Sequence, residues 1–198
     1  MIDAGNPPFE RTKCCCERCI VGCRTMPGSL APGDIERILH YVSPPDPWKF
    51  VEENFLASDG FKILANTPDG VKTLAVPTIV PAKDDDGRCV FLSPGDRCII
   101  HPVSPFGCAY YDTHMVYEEA ENRSLFSVAA VVDDSHATAV SYRVYIAALR
   151  EQGKIATPAS ERRAAMEAEL QRLAVDEEQQ NESGEDAVGG VEQNPSTE

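Results

Sequence analysis

Residues 13–23 read Lys13-Cys14-Cys15-Cys16-Glu17-Arg18-Cys19-Ile20-Val21-Gly22-Cys23, and they place five of the chain's eight cysteines within ten positions. The other three, Cys89, Cys98 and Cys108, fall in one later segment. Cys16, Cys19 and Cys23 have the spacing C-x2-C-x3-C. It lets successive thiolates point into one concavity, with backbone N–H groups free to donate to sulfur. Three thiolates leave such a site incomplete. The reading is therefore one primary site in which Cys16, Cys19 and Cys23 meet Cys89, Cys98 and Cys108. Cys14 and Cys15 are additional candidates, because neighbouring side chains diverge and three consecutive cysteines do not all face one ion. Two four-thiolate sites would use all eight.

The surrounding composition bounds the rest. At 198 residues the chain is one domain's worth. No apolar run approaches the roughly 20 residues that cross a bilayer, and residues 1–13 lack a signal-like apolar stretch. A soluble, cytoplasmic protein with no membrane partner is expected, and in that compartment clustered cysteines bind metal or do redox chemistry more often than they form disulfides. The net charge is −14, but from Asp176 onward there are eight acidic residues and no Lys or Arg. The remainder carries 24 acidic against 18 basic residues, a mild excess with no basic footprint for a phosphate backbone, so no nucleic-acid partner is expected.

In chain order, a Pro/Gly-rich loop follows the cluster. Asp34 sits where a helix cap belongs, before Ile35, Ile38, Leu39 and Val42. Asp46-Pro47 opens a second helix running to about Ala57. From Phe61 the pattern turns to strands: FKIL, a turn at Asn66 to Gly70, then VKTLAVPTIV, with Pro77 and Pro81 marking an edge. RCVFL and RCII read as short neighbouring strands that present Cys89 and Cys98. Helices follow, one with Tyr117, Ala120, Ser124, Leu125 and Val128 on a face and one with Ala139, Tyr142, Ile146 and Leu149. A last helix starts after Thr157-Pro158. No internal repeat stands out. The fold class expected is α+β: a small irregular cysteine-rich metal-binding domain with short strands, packed against C-terminal helices. Residues 1–175 form this single domain and 176–198 an acidic tail too polar to order itself.

The segments ERCIVGC, GRCVFL and RCIIHPVSPFGC resemble the CxxCxxCC, or YkgJ-type, cysteine-cluster proteins, described as zinc- or iron-chelating domains. The match rests on Cys89, Cys98, His101, Pro105 and Cys108 and spans roughly Cys14 to Asp112. The commoner pattern in that family has Arg before the proline, where this chain has Ser104, which removes a cation from the thiolates. The resemblance implies metal chelation by zinc, iron or an iron–sulfur cluster. The alternative is an iron–sulfur-dependent enzyme, such as a methylase-like or redox protein, since flagellin lysine methylases resemble the family in their cysteine segments.

His101, three residues after Cys98, is a possible ligand, though a hydrogen-bonding or surface role is favoured. The same holds more strongly for His114. His40 and His136 read as solvated. Asp84-Asp85-Asp86 reads as a solvated turn without the alternating ligands of a calcium loop. No Walker A, G-x-S-x-G or dinucleotide glycine motif is present, so no catalytic residue is assigned.

Overall fold

The computed structural model describes residues 7–133, 135 and 137–185; His136 and residues 186–198 lie outside the described set. The chain is α+β. Its elements are α1 (Glu17–Thr25), α2 (Asp34–Val42), α3 (Pro47–Asn54), β1 (Phe55–Thr67), β2 (Gly70–Pro81), a 3-10 turn (His101–Val103), α4 (Phe106–Ala109), α5 (Tyr117–Val132), α6 (Ala137–Glu151) and α7 (Ala159–Glu185).

The first cysteine group, left without secondary structure by its sequence, builds α1, with Cys16 as N-cap. Helix α2 buries Ile35 and Ile38 and stops at Ser43, whose φ of 49° precedes Pro44-Pro45. In α3 the Asp46 carboxylate accepts from the Lys49 N–H, Pro47 takes the first turn, and Val51 points inward. This helix ends earlier than expected. Phe55 to Ser58 are already strand, paired with Pro81 to Thr78. Tertiary pairing overrides the helical pattern here, because Ala57 also exchanges backbone bonds with Lys154 and Ala156 on its other edge. The register shifts between Ser58 and Phe61. Gly60, at φ +70°, makes that bulge possible, since a Cβ there would sit 1.9 Å from the Val76 carbonyl oxygen.

The inner half of the hairpin belongs to the core with Leu30, Phe91 and Ile100, while its tip exposes Leu64 and Val71. Helix α6 buries Ala139, Tyr142, Ile146 and Leu149, the face its periodicity predicts. The Tyr142 hydroxyl donates to the Leu30 carbonyl at 2.6 Å and accepts from the Ile79 N–H at 2.9 Å, tying α6 to β2 and to the loop after α1. Helix α5 turns a different face inward from the one expected: Arg123, Ser127, Val128, Ala130 and Val131 are buried, whereas Tyr117 and Leu125 are exposed. The reason is the N-terminal segment. Phe9 packs edge-on to Phe126 and on Phe106, and the Arg123 guanidinium lies over the Phe9 ring.

N-terminal elements thus pack on C-terminal helices, α1 on α7 and β1 on α6. Helix α7 continues across Val175, where a tail was expected to begin, as far as Glu185. Arg172 there pairs with Glu169 and Asp176 along one face. Among the described residues no helix is long and apolar enough to cross a membrane.

The segments RCVFL and RCII are not strands. Each makes only an isolated bridge, Lys83 with Cys89 and Leu92 with Cys98. They are two copies of one nine-residue loop, Asp84–Leu92 and Ser93–His101, a repeat that sequence alone hides because no identity beyond Arg-Cys survives. Asp84 N–H bonds the Arg88 carbonyl as Ser93 N–H bonds that of Arg97, and Gly87 N–H bonds the Asp84 carbonyl as Asp96 N–H bonds that of Ser93. The second copy rests on the first: Ile99 N–H donates to the Phe91 carbonyl, as Val90 N–H does to that of Ala82. The equivalent residues Gly87 and Asp96 both take positive φ. Repetition of the loop places Cys89 and Cys98 at the same position of the same turn.

Candidate metal centre

Cys16, Cys19 and Cys23 follow one side of α1, offset by three and seven residues. At its N-terminus a cluster forms: the donor atoms of Cys14, Cys16, Cys19 and His114 all lie within 4.8 Å of one another. Cys16 Sγ is 3.2 Å from His114 Nε2, and Cys19 Sγ is 3.3 Å from Thr113 Oγ1. His114 reaches this place because Asp112 organises its turn. One Asp112 oxygen accepts the His114 N–H at 2.9 Å and the other accepts the Thr12 hydroxyl at 2.7 Å, which fastens the N-terminal segment beside it. Cys14, Cys16 and His114 are exposed and Cys19 is half-buried.

This set of three thiols and one imidazole can coordinate a metal ion; Cys3His is a tetrahedral zinc ligand set. His114, together with the Cys19 N–H, pulls the Cys16 thiol down to about 6, whereas burial pushes Cys19 up to about 11. Cys16 is thus the thiol of the pair more readily ionised, and a metal would have to displace the proton of Cys19. The sequence offered His114 as a ligand near Cys108, with a surface or hydrogen-bonding role favoured; that it meets Cys16 instead was not legible. The signal was present only as Asp112 two residues before a histidine, in the turn after Cys108.

Cys23 stands apart from that group. It lines one cavity with Cys89, Cys98 and Cys108, and burial together with Cys98 raises its thiol. The Cys89 N–H donates to the Cys23 carbonyl at 3.0 Å. Each of the four thiols is pushed up by burial, Cys89 to about 12; Cys108 is raised further by Cys23, Cys89 and Cys98, Cys89 by Cys23 and Cys98, and Cys23 by Cys98. Backbone donors face the sulfurs: the N–H of Phe91 toward Cys89, that of Ile100 toward Cys98, and that of Gly28 toward Cys108 at 3.3 Å. Two of these are the same bond in the two copies of the nine-residue loop, from the residue two beyond each cysteine. Such donors hold thiolates that would otherwise repel one another.

Several tertiary contacts fix this inner set. Asp96 binds Arg24 of α1 and Arg88 of the preceding loop, joining both loop copies to the helix that carries Cys23. Cys108 is placed by a backbone crossing in which Gly107 N–H donates to the Ser29 carbonyl at 2.8 Å. A Cβ at Gly28 would lie 2.1 Å from the Gly107 carbonyl carbon, so the crossing requires glycine. A cation reaches Ser104 from the N-terminal segment. The Arg11 guanidinium donates to the Ser104 hydroxyl and to the His101 carbonyl, both at 2.8 Å, and its charge favours the Cys98 thiolate.

Between the two groups lies a cavity of about 360 Å³ whose walls include Cys14, Cys15, Cys19, Cys23, Cys89, Cys98 and Cys108. His101 also borders it while its backbone is engaged by Arg11. Cys15 is exposed and stands in neither group of four. The Cys14, Cys16, Cys19 and His114 set fits a thiophilic metal, and thiolate ligands suit zinc and iron alike. Comparison with known proteins returns no match: no family model, curated protein or solved structure aligns with the chain.

Proposed function

We propose that the chain is a metal-binding cysteine-cluster protein with two centres, an outer one of Cys14, Cys16, Cys19 and His114 and an inner one of Cys23, Cys89, Cys98 and Cys108. The observation that carries the reading is the convergence of three thiols and an imidazole, from parts of the chain about 95 residues apart, within 4.8 Å. The inner centre is supported by its backbone N–H donors and by four thiols, Cys89 buried and the others half-buried, that line one cavity. The resemblance of residues 89–108 to CxxCxxCC proteins points the same way. Redistributing the six cysteines first grouped into one site, and adding Cys14 and His114, accounts for seven of the eight thiols.

Zinc fits the outer Cys3His set. Four thiolates on one zinc draw together to about 3.8 Å apart at a Zn–S distance of about 2.3 Å. Among the described residues the inner four form no group with donors within 4.8 Å, and they border a cavity much larger than one ion. Those two observations favour a second reading for the inner centre alone, an iron–sulfur cluster, with redox chemistry as its consequence.

Anaerobic purification followed by metal analysis and absorption spectroscopy tests both. Two zinc ions per chain and no visible absorption support a zinc protein. One zinc with iron, sulfide and a brown chromophore supports the second reading. A chain that takes up neither metal stoichiometrically refutes the proposal.

A further inference from the structure

We propose that Cys16 and Cys19 form a dithiol–disulfide pair that a peroxide oxidises, and that closing the bond discharges the ion held at the outer centre; the inference rests on the metal-binding reading above and gives that centre its regulation. Three observations converge on this pair. The two sulfurs belong to the group whose donor atoms all lie within 4.8 Å of one another. They have the C-x2-C spacing, Cys16 as N-cap of α1 and Cys19 in its first turn, so both stand on one side of the helix start. A single turn attends to both: from adjacent residues, the Thr113 hydroxyl reaches Cys19 Sγ at 3.3 Å and His114 Nε2 reaches Cys16 Sγ at 3.2 Å. Access favours the same place, because Cys16 is exposed, whereas Cys89 is buried and Cys23, Cys98 and Cys108 are half-buried.

The Cys16 sulfur gives its proton to His114 and attacks one peroxide oxygen. The O–O bond breaks, and the departing hydroxide takes that proton from His114 and leaves as water. Cys19 then attacks the sulfur of the Cys16 sulfenic acid: the S–S bond forms, the S–O bond breaks, and the second hydroxide leaves as water with the Cys19 proton. The two thiols are oxidised and the peroxide is reduced, with no other reagent. When the two sulfurs hold an ion, two protons from water replace those of the thiols, and the ion departs with its charge unchanged. A disulfide sulfur is no longer a thiolate ligand. Only Cys14 and His114 then remain for an ion that takes four ligands, and the centre empties.

The full-length chain is reduced and loaded with zinc, and its zinc content is measured. It is then treated anaerobically with one equivalent of hydrogen peroxide beside a chromogenic zinc chelator. One zinc ion per chain is released, the mass falls by the two thiol hydrogens, and dithiothreitol restores both the thiols and the binding. Trypsin, cutting after Lys13, Arg18 and Arg24, separates residues 14–18 from 19–24, and fragmentation of the joined peptides places the bond between Cys16 and Cys19. Cys15→Ser, which alters neither group, releases its ion and forms the bond as the wild type does.

A zinc-loaded chain that keeps its ion under peroxide, or whose disulfide maps to Cys14, Cys15 or an inner cysteine, overturns the inference and leaves the metal-binding reading standing. So does oxidation to sulfinic acid that dithiothreitol does not reverse. A reduced chain that binds no zinc before peroxide is added overturns both.

Discussion

Replacing Asp34 by alanine tests the joint between the inner cysteines and the helical body. Its side chain is fully buried, and three donors converge on it: the Ala31 N–H at 2.9 Å, the Phe106 N–H at 2.7 Å and the Arg37 guanidinium at 2.7 Å. Burial pushes the carboxyl above its usual range while Arg37 and the two N–H groups pull it down. Three donors with no acceptor among them favour the ionised form. In Asp34→Ala the two backbone N–H groups, on residues that are themselves buried, are left unsatisfied at about 1–3 kcal/mol each. Arg37 keeps a bond to the Ser104 carbonyl and is partly exposed, so its loss is the smaller part. The expected destabilisation is about 4 kcal/mol, a large share of the roughly 5–15 kcal/mol that holds a domain together. With a urea slope of about 2–3 kcal/mol/M, the unfolding midpoint of the reduced chain falls by roughly 1.5–2 M. Asp34→Asn keeps one acceptor oxygen and loses about half as much. Because Phe106 opens α4, which carries Cys108, the inner centre should lose affinity while cobalt binding at the outer one persists. A midpoint shift below about 0.3 M in Asp34→Ala would show that these bonds do not brace the site.

Three further outcomes follow from the same geometry. Cys16, held near 6 by His114, should react with iodoacetamide in the metal-free chain at a rate that rises as pH increases through about 6; in His114→Ala that midpoint moves up toward an ordinary thiol, and an unchanged profile contradicts the pairing. Gly28→Ala forces apart the crossing with Gly107 and costs about 3 kcal/mol or more by thermal or urea unfolding, with loss of the inner ion; a stable variant with two ions means the crossing yields easily. Cys98→Ser should keep one metal ion per chain by elemental analysis, and Cys16→Ser should keep the other, whereas loss of both ions from either variant would restore a single shared site.

Much of the framework was legible. Helices α2 and α3 announce themselves through Asp34, Asp46-Pro47 and short-range apolar spacing, and α6 through Ala139, Tyr142, Ile146 and Leu149, since these signals arise within one or two turns. The hairpin turn was visible at residues 66–70, but the start of β1 at Phe55 was not, because it depends on pairing with Thr78 to Pro81 and with the segment before α7. The buried face of α5 was misread for a similar reason. Phe9, more than a hundred residues away in sequence, covers it.

For the site, composition and spacing alone determined that this chain gathers thiols: five cysteines in ten residues and three more in a later segment leave few other uses in a compact fold. Which thiols share a centre was decided by tertiary structure. Cys14, Cys16 and Cys19 are brought within reach of His114, while Cys23 lines a cavity with Cys89, Cys98 and Cys108. The partition follows from where α1 enters the molecule, from the nine-residue loop used twice, and from the glycine crossing that admits Cys108. The loop is built locally, but its docking on α1 and the glycine crossing are set by hydrogen bonds between residues about 65 to 80 positions apart. Local pattern carries no information over that separation, because the ligands' mutual geometry exists only once the backbone segments have packed.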